Sequence, residues 1–380
     1  MTTRYDMDDE LTTDVIKGMQ YAALAITDDK PDTLKEVGKM NPWHIEALKV
    51  LTGSEEEAHM PLTHILAKHE NLTCDAILDK SGSTPGGGFV DTQGYIAHND
   101  EAIVLAFRCT TSFYDWLTNF DTTSSDWEIA EDAEKGFSGY CSSLEGLACC
   151  GASHKPRVHT GFYNNFLAIL PELREHIDPL LAADQPPRKL YVVGHSLGAG
   201  IANMAACYYL LQFQWDQIPH RLVTVTAGSP RSVVTSMRDL MNEQLELYGH
   251  AKTAMCRVVR NKDVVTTVPP AILGFRHMGR LVYITEDNQV ELEVEDNDDE
   301  EKESGKEEPI DHMAFKGIEP HEDDDEEDEE TPEGQPKMTQ YEKKVGRIPV
   351  PFRDHMPDFY LKPMRIAREE LFPVEILVSE

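Results

Sequence analysis

The pentapeptide Gly194-His195-Ser196-Leu197-Gly198 sets a serine between two glycines. The apolar run Leu190-Tyr191-Val192-Val193 before it reads as a buried strand, and GAGIANMAACYYLL after it as a helix. A serine on the sharp turn between a strand and a helix presents its Oγ and can attack a carbonyl. The bland alternative is a serine that only caps the helix. For attack, the hydroxyl needs a base to take its proton, and the base needs a carboxylate to orient it.

Both partners are sought downstream, since the order Ser, Asp, His is that of the α/β-hydrolases. Asp263, in Val258-Val259-Arg260-Asn261-Lys262-Asp263, follows a strand and stands where loops gather at the carboxyl ends of a parallel sheet. The bland alternative is a plain turn residue. Five histidines beyond the serine are weighed as the base: His250, His277, His312, His321 and His355. His250 precedes Asp263 and is out of order, and His312 and His321 flank acidic runs. His355, after the last strand, is the better placed base. His277, just before that strand, stays open as the rival.

These groups need a rigid scaffold. Residues 1–87 read as a helical segment, from the helical spacing in DVIKGMQYAALAI and the pieces HIEALKVL and MPLTHILAKH, up to a flexible break at 81–88. Beyond it, FVDTQGYIAH and EAIVLAF are strands joined at His98-Asn99-Asp100, and RLVTVTA, MCRVVR and RLVYIT are further strands. Strands alternating with helices predict an α/β fold, with a mostly parallel central sheet covered on both faces. The core is expected over 88–285, an acidic disordered insertion over 286–336, and a C-terminal part carrying His355 over 337–380.

Composition narrows the function classes. With 380 residues and 40% hydrophobic content the chain can build a sizeable core. The formal net charge of −33 is concentrated in 286–336, where 25 Asp and Glu face 3 Lys. No basic stripe remains to neutralise phosphates, so nucleic acid is excluded as a partner. The acidic segment instead offers an element for a basic protein or a cation. The N-terminus has no apolar leader and no run is long enough to cross a membrane. The expectation is therefore a cytoplasmic protein, peripheral to membranes or lipid droplets, with its seven cysteines reduced and the Asn71 sequon unmodified.

Several stretches, in order, resemble the class 3 lipases. They are Asp91-Thr92-Gln93-Gly94-Tyr95, then Ala106-Phe107-Arg108-Cys109-Thr110-Thr111-Ser112 with Asp115-Trp116-Leu117-Thr118-Asn119. Val158-His159-Thr160-Gly161-Phe162, the serine pentapeptide, Ala227-Gly228-Ser229-Pro230-Arg231, Asp263 with Pro269-Pro270, and Asp354-His355 follow. The resemblance covers about 88–361 and implies an α/β-hydrolase fold, with Ser196 as nucleophile, Asp263 as acid and His355 as base. It adds an oxyanion hole from the backbone N–H groups of Leu197 and Thr110, and an elbow of Gly194, His195 and Gly198. Phe113 and Trp116 would belong to a lid or its hinge, and Trp116 reads equally as core. Residues 125–157 would be a longer lid or cap. Cys109 departs from the family's usual glycine.

The expected chemistry is two-step acyl transfer on acylglycerol esters, with no metal and no organic cofactor. The same triad would also suit a phospholipase or an acyltransferase. A catalytically idle lipase-like scaffold, binding through its acidic segment, is the reading from another class.

Overall fold

The computed structural model describes residues 9–26, 42–83, 89–108, 122–129, 155–293, 354–355 and 360–363. Helix α1 (Asp9–Leu24), α2 (Pro42–Thr52), α3 (Glu55–Ala58) and α4 (Leu62–His69) come first. The strand β1 (Thr73–Ser83) follows and pairs antiparallel with β2 (Phe89–His98), which pairs antiparallel with β3 (Ala102–Phe107). The segment 1–87 is thus not helical throughout. Strand β1 escapes sequence reading because it is an edge strand: Asp75, Asp79, Lys80 and Gly82 interrupt its apolar pattern, and only Leu78 enters the core.

From β3 the sheet turns parallel. It continues through β6 (Lys189–His195), β7 (Arg221–Ala227), β9 (Thr253–Arg260) and β11 (Arg280–Ile284). Strands β3, β6 and β7 are buried from end to end or nearly so, as expected for parallel strands covered on both faces. Strand β12 (Val290–Glu293) closes the order β1-β2-β3-β6-β7-β9-β11-β12, antiparallel to β11. It lies inside the span 286–336 expected to be an insertion. The alternation Val290-Glu291-Leu292-Glu293 is a strand pattern hidden in acidic composition, and the rest of that span lies outside the described residues.

One face of the sheet is covered by α5 (Thr160–His176), α6 (Leu197–Gln212) and α7 (Thr235–Tyr248), the other by α1, α2 and α4. Helix α6 is buried over residues 198–211, so it is apolar all round and packs as a central helix. Trp127 packs into the same layer, stacked on Phe166. Helix α1 is pinned by its buried Asp14, which pairs with Lys189 at 2.8 Å and Arg221 at 2.9 Å and accepts from the Tyr191 hydroxyl at 2.7 Å. Three donors offset the cost of burying that carboxylate. They lie near the amino ends of β6 and β7, away from Ser196.

A second, antiparallel sheet has the order β10-β8-β5-β4, from β10 (Phe275–Arg276), β8 (Val233–Val234), β5 (Arg157–His159) and β4 (Ser124–Asp126). His159 ends β5 and caps α5, its Nδ1 accepting from the N–H groups of Gly161 and Phe162. That gives the Val158–Phe162 motif a local physical meaning.

Candidate active site

Ser196 stands between β6 and α6 with φ 59° and ψ −126°. An L-residue there is strained, and the strain is held by the strand on one side and the helix on the other. The turn depends on close backbone approach: a Cβ on Gly194 would lie 2.3 Å from the Gly198 carbonyl oxygen, and one on Gly198 would lie 2.4 Å from that of Phe107. Neither position admits a side chain. The contact also brings the chain that runs on towards Thr110 against the elbow. Arg108 is held there by Gln93, which accepts from its backbone N–H at 2.8 Å and from its Nη1 at 2.7 Å. Leu197 opens α6, so its N–H has no carbonyl one turn back to bond and is available to an oxyanion.

Asp263 follows β9 and heads the 3₁₀ turn Val264–Thr267, accepting from the Val265 N–H at 2.8 Å. His355 Nδ1 lies 3.0 and 2.8 Å from its two carboxylate oxygens, although 92 residues separate them. Asp263 is 1% exposed and His355 4%. With Nδ1 donating to an ionised Asp263, Nε2 is left as the basic atom. Ser196 Oγ is itself buried and hydrogen-bonds to no described residue. Such bonds commonly tighten only when substrate binds. The elbow still adjoins the pair: the Ser196 N–H donates to the Ala227 carbonyl at 3.0 Å, and a Cβ on the next residue, Gly228, would lie 2.9 Å from the His355 ring and 2.8 Å from Asp263 Oδ2.

Three further residues organise the base, and the sequence reading gave none of them this role. Tyr360 donates its hydroxyl to Asp263 Oδ2 and accepts from the Arg260 N–H at 3.2 Å. Burial, and then the Asp263 charge, push its pKa well above the ordinary tyrosine value, so it remains a donor. Asp354 accepts from Asn261 Nδ2 at 2.8 Å and lies 3.5 Å from Arg260 Nε. His195 Nε2 is 2.8 Å from the His355 carbonyl oxygen. No periodicity links these positions; only the Asp354-His355 motif marks the neighbourhood.

His277, the rival base, is separate from this pair. Its Nε2 lies 2.8 Å from the Thr266 carbonyl, and burial, with Arg257 and Arg231 nearby, drives its pKa well below the usual value. It supports the Asp263 loop from behind. Arg231 does the same, donating to the carbonyls of Thr267 at 2.6 Å and Pro269 at 3.2 Å. Thr110, Phe113, Trp116 and most of 125–157 lie outside the described residues.

Residues 104–273 match the family Lipase (class 3). The chain is 26% identical over 206 residues to "Secreted mono- and diacylglycerol lipase 1" of Fusarium solani, covering 53% of this chain and 51% of that protein. It is 29% identical over 180 residues to "Phospholipase A(1) DAD1, chloroplastic" of Arabidopsis thaliana, covering 46% and 35%. The chain thus spans about half or less of the length of these curated relatives. A solved mono- and diacylglycerol lipase from Aspergillus oryzae superposes with a TM-score of 0.46 at 20% identity, covering 76% of this chain and 86% of that one. The expectation of a cytoplasmic protein is overturned by relatives named as secreted lipases, and the ground for an unmodified Asn71 goes with it. Among the described residues no helix is long and apolar enough to cross a membrane.

Proposed function

We propose that the protein, whose residues 104–273 match the family Lipase (class 3), is a serine-dependent carboxylic ester hydrolase acting on acylglycerols. Ser196 is the nucleophile, His355 the general base and Asp263 the orienting acid. The observation that carries the reading is the buried His355–Asp263 pair set against the strained turn of Ser196.

Ser196 Oγ attacks the ester carbonyl as His355 Nε2 takes its proton, and the imidazolium is stabilised by Asp263. The oxyanion is met by the Leu197 N–H and by that of Thr110, donors of a kind that typically supply about 2.7–4 kcal/mol each. The tetrahedral intermediate collapses as His355 passes the proton to the leaving alcohol, which leaves an acyl-enzyme on Ser196. Water, deprotonated by His355, then attacks this ester; collapse releases the fatty acid and returns the proton to Ser196.

Acylglycerols lead the substrate classes because relatives carry that name, and phospholipids stand second on the phospholipase A(1) relative. A water-insoluble ester must be met at a lipid surface. The turn Ala271–Leu273, eight residues beyond Asp263, offers one contact: Ile272 is 86% and Leu273 53% exposed. Such apolar pairs held in solvent favour a lipid–water boundary.

The test is labelling with a fluorophosphonate, with mass mapping and parallel assays on diacylglycerol and a short-chain ester. Label on Ser196, lost together with hydrolysis in Ser196→Ala, is expected. A folded protein that neither labels nor hydrolyses in the presence of detergent or lipid overturns the reading.

A further inference from the structure

We propose that His195 is a positioning residue that couples the nucleophile's turn to the base, by donating from Nε2 to the His355 carbonyl and stacking its ring on that of His355. The inference rests on the assignment of Ser196 and His355 above. The base arrives late in the chain, 92 residues after its carboxylate, so the strands that place Asp263 do not by themselves place His355. Its side chain is held by Asp263, and the preceding residue, Asp354, is held by Asn261 and Arg260. All of these contacts come from the β9 end of the site. Nothing in them ties the base to the serine.

His195 supplies that tie. It is the last residue of β6 and is joined by one peptide bond to Ser196. Its Nε2 lies 2.8 Å from the His355 carbonyl oxygen, and a carbonyl only accepts, so Nε2 carries the hydrogen. The rings of His195 and His355 stack at 4.7 Å with 30° between their planes, and Tyr360 closes the edge of His195 at 5.7 Å. His195 is buried, so water competes little for this bond. A shift of the elbow is therefore passed to the base through this side chain. This adds a requirement on the residue before the serine that the strand-to-helix turn alone does not impose.

The experiment compares His195→Phe, which keeps a ring and loses the donor, with His195→Gln, whose amide nitrogen stands near the place of Nε2. His195→Phe is expected to lower kcat on a soluble ester by about tenfold to a hundredfold, since a small misplacement of reacting groups costs that much, with KM little changed. His195→Gln is expected to recover most of the loss. Full activity in His195→Phe, or a Gln variant no better than Phe at equal thermal stability, overturns the proposal. Nitrogen NMR of the otherwise unaltered Ser196→Ala protein gives a test that needs no change at His195. A protonated Nε2 at His195 is expected, and an unprotonated one overturns the proposal. Failure of Ser196 to label would defeat the hydrolase reading while leaving the tautomer result intact, so the two failures are distinguishable.

Discussion

The hydroxyl of Tyr360 is hydrogen-bonded to Oδ2 of Asp263, the same carboxylate oxygen that lies 2.8 Å from His355 Nδ1. One buried oxygen thus receives two donors from the C-terminal part of the chain, and the tyrosine restrains the carboxylate while the histidine uses it. A hydrogen bond to a charged group is worth about 1.5–3 kcal/mol. Tyr360→Phe is expected to lower the melting temperature and to reduce kcat by about tenfold with KM nearly unchanged. Steady-state kinetics and calorimetry on the purified variant check both.

Gly228 offers a test of the pair without altering either member. Its φ is +55°, and an added Cβ would lie 2.8 Å from Asp263 Oδ2 and 2.9 Å from the His355 ring. Gly228→Ala should therefore displace the pair and strain the backbone together. We expect kcat to fall by at least about tenfold, with a stability loss of about 1–3 kcal/mol. An alanine variant with unchanged kcat would show that Asp263 and His355 do not need their present geometry.

His277 should make the fold sensitive to acid. Its folded pKa lies well below the ordinary value, first because of burial and then because of Arg257 and Arg231. Below about pH 6.5 the unfolded chain binds a proton that the folded one refuses, so stability falls as pH falls, by at most about 1.4 kcal/mol per unit. His277→Gln retains a donor for the Thr266 carbonyl and removes the titration. Urea unfolding at neutral and mildly acidic pH is expected to show a shallower loss in the variant. Equal slopes would remove His277 from the account.

The turn bearing Ile272 and Leu273 predicts a difference between soluble and dispersed substrates. Arg276 braces it from below, its Nη1 donating to the Ala271 carbonyl at 2.8 Å, so polar replacements at the two exposed positions should leave the fold intact. The double change Ile272→Ser with Leu273→Ser is expected to leave short-chain ester hydrolysis within about twofold. Partition onto zwitterionic vesicles containing diacylglycerol should weaken by at least about tenfold, because each buried aliphatic side chain contributes roughly 1.5–3 kcal/mol. Unchanged partition in a sedimentation assay would show that this turn does not meet the lipid.

Much of the scaffold was legible because its signals are local. The continuous apolar runs of β3, β6 and β7 announce strands buried on both faces, and the step from β6 into α6 across two glycines announces the elbow. Edge strands announce themselves poorly. Strand β1 makes one strand pairing and buries little, while β12 carries its alternation inside an acidic stretch. Residue chemistry and chain order alone reduced the base to His355 or His277. Which of them meets Asp263 depends on where a chain of 92 residues returns; the Asp354-His355 motif points to His355, and only the fold shows the pairing. The same holds for Tyr360 and for the second task of His195, whose bonds span 97 and 160 residues. The sequence by itself determined the elements and the kinds of group available for catalysis, because strand burial, helix packing and turn strain act over a few residues. Tertiary structure alone decided which groups share one carboxylate, because hydrogen bonds need approach within about 3 Å, and only the folded sheet brings such distant segments that close.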